Sequence, residues 1–108
     1  MNIYQKKYLP CYHESKQKLD RNTFNFISTK EEYIRQAPTA HSFLKGNLQG
    51  IRRYKNKIRI LYAITGEFEC GLFDMNAHPA VYFLFVTIRN DDTYKDAYKL
   101  LKKQGVIA

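Results

Sequence analysis

The run VYFLFVTI, Val81 to Ile88, restricts the fold of this chain more than any other stretch. It is almost continuously apolar, and its residues are mostly aromatic or β-branched, the types that fit a pleated surface. Side chains of a strand point alternately to two faces, so such a run needs cover on both and is expected as a central strand. The longest apolar stretch, Ala80 to Val86, is far too short to cross a bilayer. The opening MNIYQKKYLP holds two lysines and no apolar signal core, which leads to the expectation of a cytoplasmic protein without a membrane partner.

The remaining elements are read around that strand. At 108 residues the chain is expected to form one domain, 1–108, with a core drawn from nine Tyr, seven Phe and the aliphatics. Ile3 to Leu9 alternates weakly and reads as a first strand, with Pro10 closing it or opening a helix. Tyr8, Tyr12 and Leu19 then recur near helical spacing up to a break at Asp20-Arg21-Asn22. Ser28-Thr29-Lys30-Glu31 has the form of a capping box, so a second helix begins there or as early as Thr23, and Pro38 ends it. Ile58 to Ile64 alternates with period two and reads as a strand. Glu67 to Phe73 has some strand character, punctuated by Gly66 and Gly71. The closing DDTYKDAYKLLKKQG reads as a helix capped by Asp91 or Asp92, with Lys102 and Lys103 in its last turn and Gly105 beyond. The expected class is α+β: an N-terminal strand and two-helix hairpin on a three- to four-stranded antiparallel sheet, then a short C-terminal helix. Cys11 and Cys70 show no metal-ligand spacing and are expected as reduced, partly buried hydrophobes. No cofactor or metal site is expected.

Eighteen Lys and Arg against ten Asp and Glu leave a net charge of +8, which favours a polyanionic partner. The excess concentrates in GNLQGIRRYKNKIRILYAI, Gly46 to Ile64, which contains no acidic residue. Along Ile51 to Lys55, Arg53 and Lys55 share one face while Arg52 and Tyr54 share the other. With Ile58, Ile60 and Tyr62 facing the core, Arg59 points away from it. A two-residue turn at Asn56-Lys57 would set Lys55 opposite Ile58 and bury the Arg53 face. A three-residue loop, Lys55-Asn56-Lys57, sets Tyr54 opposite Ile58 and Arg53 opposite Arg59, and this register is the expected one. Like charges facing each other cost stability, so the cluster reads as an anion site. A charged edge strand that discourages edge-to-edge pairing is the plainer alternative. Arg89 ends the central strand and Tyr94 follows five residues later. If that strand pairs with Ile58 to Ile64, both come near one end of the hairpin, where guanidinium groups suit phosphate and a phenol can stack on an unpaired base.

LKGNLQGIRRYKNKIRILYAI, Leu44 to Ile64, followed by FVTIRNDDTY, Phe85 to Tyr94, resembles the RelE/ParE bacterial toxins, over roughly Leu44 to Leu101. The shared pattern is a Leu-x-Gly lead-in, a basic hairpin, an apolar strand, an Arg and a Tyr. For RelE-type members the resemblance implies a ribosome-dependent, metal-independent endoribonuclease that cuts messenger RNA and stops translation. It implies catalytic roles for Lys55, Arg59, Arg89 and Tyr94, and substrate contacts from Arg53, Arg52 and Lys57. The chemistry implied is attack by a 2′-hydroxyl on the adjacent phosphate. Arg59 and Arg89 would neutralise the oxyanion, and Lys55 and Tyr94 would be base and acid in one order or the other.

The resemblance equally implies a cognate antitoxin, expected as an acidic, partly disordered segment that wraps the basic face in a hetero-oligomer. ParE-type relatives instead inhibit DNA gyrase by protein contact, and a non-catalytic nucleic-acid-binding relative is a third reading. The chain departs from the pattern in a hairpin turn about one residue shorter and in a longer Glu67 to Pro79 segment. His13, His41 and His78 fall outside the catalytic positions of the pattern and are expected at the surface or behind the site.

Overall fold

The computed structural model describes residues 4–74 and 79–107. Strand β1 (Gln5–Tyr8) leads into helix α1 (Pro10–Lys16) and helix α2 (Arg21–Gln36). Strands β2 (Arg52–Lys55), β3 (Ile58–Ile64) and β4 (Ala80–Ile88) follow, and helix α3 (Thr93–Lys103) closes the fold. The architecture is α+β, as the sequence indicates.

The four strands lie in the order β1-β4-β3-β2, so the apolar β4 is central. The sheet is mixed and not antiparallel throughout: β1 runs parallel to β4, while β2–β3 and β3–β4 are antiparallel. Period-two patterning records which faces are covered and carries no information on strand direction, which is why the sequence left β1 misread. Pro10 turns the chain into α1 at the end of β1, leaving the rest of the β4 edge without a strand. The Ser15 hydroxyl takes over there, accepting the Val86 N–H at 3.1 Å.

Both faces of the sheet are buried. On one, Tyr12, Ile27 and Ile34 of the first two helices meet Tyr54, Ile58, Ile60, Tyr62, Val81 and Phe83. On the other, Ala97 and Leu101 of α3, with Leu44, Leu48 and Phe73, cover Leu61, Ala63, Tyr82, Leu84 and Phe85. Cys11 is fully buried in this second cluster, and Cys70 packs half-buried against it, both as free thiols. Burial pushes the Cys11 thiol up to about 11.

Helix α2 starts earlier than either sequence-based boundary. Asp20 is its N-cap, accepting the Thr23 N–H at 2.9 Å. Ser28-Thr29-Lys30-Glu31 therefore lies inside the helix, and Glu31 does not turn back to a cap. Its carboxylate is buried, 2.9 Å from Lys16 Nζ and 2.6 Å from the Tyr12 hydroxyl. Glu67 to Phe73 forms turns and bends with no strand. It works as a cover: Phe73 stacks on Tyr82 at 3.9 Å, and Glu67 engages Arg52. The α3 boundary agrees with Asp92 as N-cap, but its side chain makes no capping bond; Thr93 Oγ1 accepts the Asn90 N–H instead, at 3.0 Å.

The hairpin register differs by two residues from the expected one. Tyr54 stands opposite Ile60, Arg53 opposite Leu61 and Lys55 opposite Arg59. Asn56 tightens the tip, its N–H donating to Ile58 O at 3.0 Å and its side-chain oxygen accepting the Lys57 N–H at 2.8 Å. A slip of two preserves the faces, so Tyr54 joins the isoleucines and Arg53, Lys55 and Arg59 still share one surface.

Candidate functional site

The cationic surface is built on the α3 side of the sheet, near the hairpin tip. Pairing aligns Lys55, Arg59 and Thr87 across three strands, with Arg53, Leu61 and Phe85 in the adjacent row. Neighbouring strands are ~4.8 Å apart and alternate residues ~7 Å apart along a strand, so the three cations start from one small area. A β-bulge decides what they face. The β3–β4 register shifts between Leu61 and Tyr62; carrying on the Tyr62–Phe83 register would set Val86 opposite Arg59. The extra residue puts Thr87 there instead and turns Val86 into the opposite core.

Arg59 is the most enclosed of these cations, at 5% exposure. Its guanidinium donates to the carbonyls of Asn56 and, at 3.2 Å, Ile58. Carbonyl dipoles partly replace water around the charge, but a buried guanidinium without a counter-charge is costly. Arg53 is half-buried and Lys55 exposed. Arg53 Nη1 donates to Tyr94 Oη at 3.0 Å, joining the first residues of α3 to β2. Because Oη accepts that bond, the Tyr94 proton is free to turn towards a ligand.

The electrostatic contrast between the two sides of the sheet is sharp. Glu31 pairs with Lys16, Glu32 with Lys6 and Arg35, and Glu67 with Arg52. Among the described residues, Arg53, Lys55, Lys57, Arg59 and Arg89 form no ion pair with a carboxylate.

Arg52, expected as a substrate contact, is diverted from the group. Its side chain lies on the other face and binds Glu67 through two bonds, 2.8 and 2.7 Å, and the carbonyls of Thr39 and His41. Its guanidinium also lies 3.9 Å over the Phe43 ring. Lys57 is exposed at the hairpin tip, and its carbonyl accepts the Arg89 N–H at 3.0 Å. That bond brings Arg89 to the tip, as the strand pairing predicts. The Arg89 side chain is exposed and lines a cleft of about 330 Å3 with Lys18, Thr87, Asn90 and Asp96, making no hydrogen bond to Tyr94. The structure therefore unites Arg53 with Tyr94 and sets Lys55 and Arg59 beside them, with Arg89 at one end.

His13 is exposed on α1. His41 packs against the rings of Tyr54, at 5.3 Å, and Tyr62, at 6.3 Å, away from the cationic surface, with Nε2 buried and unbonded. Burial, and then the charge of Arg52, lower its pKa. His78 lies outside the described residues. Among those described, no group of His, Cys, Asp and Glu could hold a metal ion, and no helix is long and apolar enough to cross a membrane.

Sequence reading gave no part in the site to Thr87, to Asn56, read as a turn residue, or to the Leu44–Leu48 loop, read as a lead-in to the hairpin. Thr87 was visible as the one aliphatic hydroxyl in an apolar strand, two residues before Arg89. The Asn56 carbonyl acts through its backbone, and no residue type announces that.

No protein-family model matches the sequence, and no curated protein matches it. Solved structures do match its fold. The RelBE2 toxin–antitoxin complex of Mycobacterium tuberculosis contains a chain 20% identical, with a TM-score of 0.68, covering 84% of this chain and 97% of that one. A double-arginine mutant of Escherichia coli RelE in the free state is 14% identical with a TM-score of 0.65, covering 94% of this chain and 97% of its own. A YoeB/ParE toxin of Agrobacterium tumefaciens is 13% identical with a TM-score of 0.57, covering 80% and 99%. The fold shared with these structures is the RelE fold.

Proposed function

We propose that this RelE-fold chain is the toxin of a toxin–antitoxin pair and a ribosome-dependent endoribonuclease acting on messenger RNA. The observation that carries the reading is Arg59: a guanidinium at 5% exposure, held by carbonyls, opposite Lys55 and one row from the Arg53–Tyr94 pair. A phosphodiester supplies the missing negative charge. Arg59 stabilises the charge that grows on the non-bridging oxygens during attack, and Arg53 holds the substrate while orienting Tyr94. Lys55 accepts the proton of the 2′-hydroxyl as its oxygen bonds to phosphorus. Tyr94 gives its proton to the departing 5′-oxygen as the P–O5′ bond breaks. The products are a 2′,3′-cyclic phosphate and a 5′-hydroxyl. Arg89, at the tip end, contacts the strand beyond the cut.

The partner that restrains such a toxin is an acidic, partly disordered antitoxin laid over the unpaired cations, in the cytoplasm. The mycobacterial structure of the same fold is itself a toxin–antitoxin complex.

A second reading, gyrase inhibition by protein contact, draws on the placement of Arg89 and Tyr94 on different clefts and on the match to a YoeB/ParE toxin. Incubation with ribosomes carrying a defined message separates the two. Cuts within the message support the nuclease; an intact message together with inhibited gyrase supports the second reading.

A further inference from the structure

A cleft of about 440 Å3 adjoins the Arg53–Tyr94 pair, and its other wall is the loop from Leu44 to Leu48. That volume falls in the range of ~300–1,000 Å3 that holds small organic ligands, a single nucleotide among them. We infer that this cleft is a subsite for the unpaired nucleotide next to the scissile linkage, with Lys45 on its phosphate and Asn47 on its base edge. The inference rests on the RNA-cleavage reading above and deepens it.

The loop is built to hold those two side chains out. Leu44 and Leu48 are buried, 8% and 3% exposed, and anchor it at both ends. Between them Gly46 takes φ +68°, a conformation that side-chain-bearing residues rarely adopt, and the turn Gly46–Leu48 follows. Three backbone bonds pin the loop: Leu44 N–H to Ile51 O at 2.8 Å, Gln49 N–H to Gly46 O at 3.1 Å and Ile51 N–H to Leu48 O at 3.2 Å. Lys45 and Asn47 alternate with the anchors and stay exposed. A pinned loop presenting unengaged groups loses little conformational freedom when a ligand arrives.

The lining matches a nucleotide part by part. Lys45 offers an ammonium for a phosphate, next to the guanidinium of Arg53. Tyr94 and the exposed Phe43, which also lines the cleft, offer aromatic rings against which a base can lie. Asn47 carries a donor and an acceptor on one planar amide, the pattern complementary to the N6/N7 edge of adenine. Adenine is therefore the favoured base. An Asp at 47 would only accept hydrogen bonds and would favour the amino group of cytosine.

The test has two arms. In the first, the amide spectrum of the intact protein is titrated with a short 2′-O-methyl oligoribonucleotide, which cannot be cut by 2′-attack. Shifts centred on residues 44–48 and Tyr94 are expected; shifts elsewhere, or none, would overturn the subsite. In the second, wild type and Asn47→Asp are compared on ribosome-bound messages randomised beside the cut. The ratio of adenine to cytosine should fall by about tenfold, the effect of one base-edge contact; an unchanged ratio sinks the assignment of Asn47. Should wild type leave every message intact, the nuclease reading fails, and the titration still decides whether the cleft takes a nucleotide.

Discussion

Arg52 and Arg53 are adjacent in a strand, so their side chains leave it on opposite faces and meet different chemistry. Arg52 reaches Glu67 and two carbonyls with its side chain 11% exposed, and the carboxylate raises its pKa further. Removing it strands Glu67 and the acceptors; Arg52→Ala should cost about 2 kcal/mol in urea melts while leaving RNA affinity per folded molecule near wild type. Tyr94 is half-buried and its hydroxyl is bonded, among the described residues, to Arg53 alone, so Tyr94→Phe should keep the fold and its RNA binding but slow cleavage by ~10²–10⁴, the usual yield of a positioned proton donor. Single-turnover rates beside binding isotherms separate the two effects. His41 gives a pH signature. Burial and Arg52 disfavour its imidazolium in the folded protein, so the folded pKa lies below the ordinary value of 6.5. The unfolded chain therefore binds the proton more readily, and the stability held above pH ~6.5 is lost as pH falls below it. Melting temperatures from pH 8 to 5 should fall less steeply for His41→Gln than for wild type; equal slopes would assign the acid sensitivity to other groups.

At the scale of elements, the junction of α1 with β4 sets the geometry of the site. Ser15 Oγ receives the Val86 N–H beside the bulge that places Thr87 opposite Arg59. Ser15→Ala would leave a buried N–H without an acceptor, at a cost of about 1–3 kcal/mol. Hydrogen exchange should then quicken at Val86 more than at Leu61, on the far side of β4, and a uniform increase would mean only global weakening. The same junction shows what sequence can and cannot disclose. VYFLFVTI announces a doubly covered strand because burial on both faces demands apolar residues at every position. The alternation of β3 separates Arg59 from the isoleucines for the same reason. A bulge leaves no such trace, since Leu84 and Phe85 are as apolar as their neighbours whichever way they point. Strand direction is equally silent, so β1 could be foreseen as a strand but not as a parallel one. The false capping box has the opposite cause: Ser28 and Glu31 carry the right local pattern, but Lys16 and Tyr12, distant in sequence, claim Glu31.

Across the whole molecule, the net charge of +8 is less informative than its distribution. Glu31, Glu32 and Glu67 are each engaged by cations, whereas Arg53, Lys55, Lys57, Arg59 and Arg89 form no ion pair with a carboxylate among the described residues. The uncompensated field therefore rises from one end of one sheet face, and a polyanion should be drawn there rather than smeared over the surface. Salt dependence of single-stranded RNA binding measures this directly, because each phosphate neutralised contributes ~0.7 to the slope of log K against log salt. Arg53→Ala should reduce the slope by about that amount. Lys6→Ala removes the same formal charge from β1, where the ammonium sits 3.7 Å from Glu32, and should leave the slope unchanged. Equal reductions by the two variants would show that the protein responds to net charge alone. A loss confined to Arg53 would mean that phosphate is neutralised on the surface Arg53 shares with Lys55 and Arg59, as the RNA-cleavage reading requires.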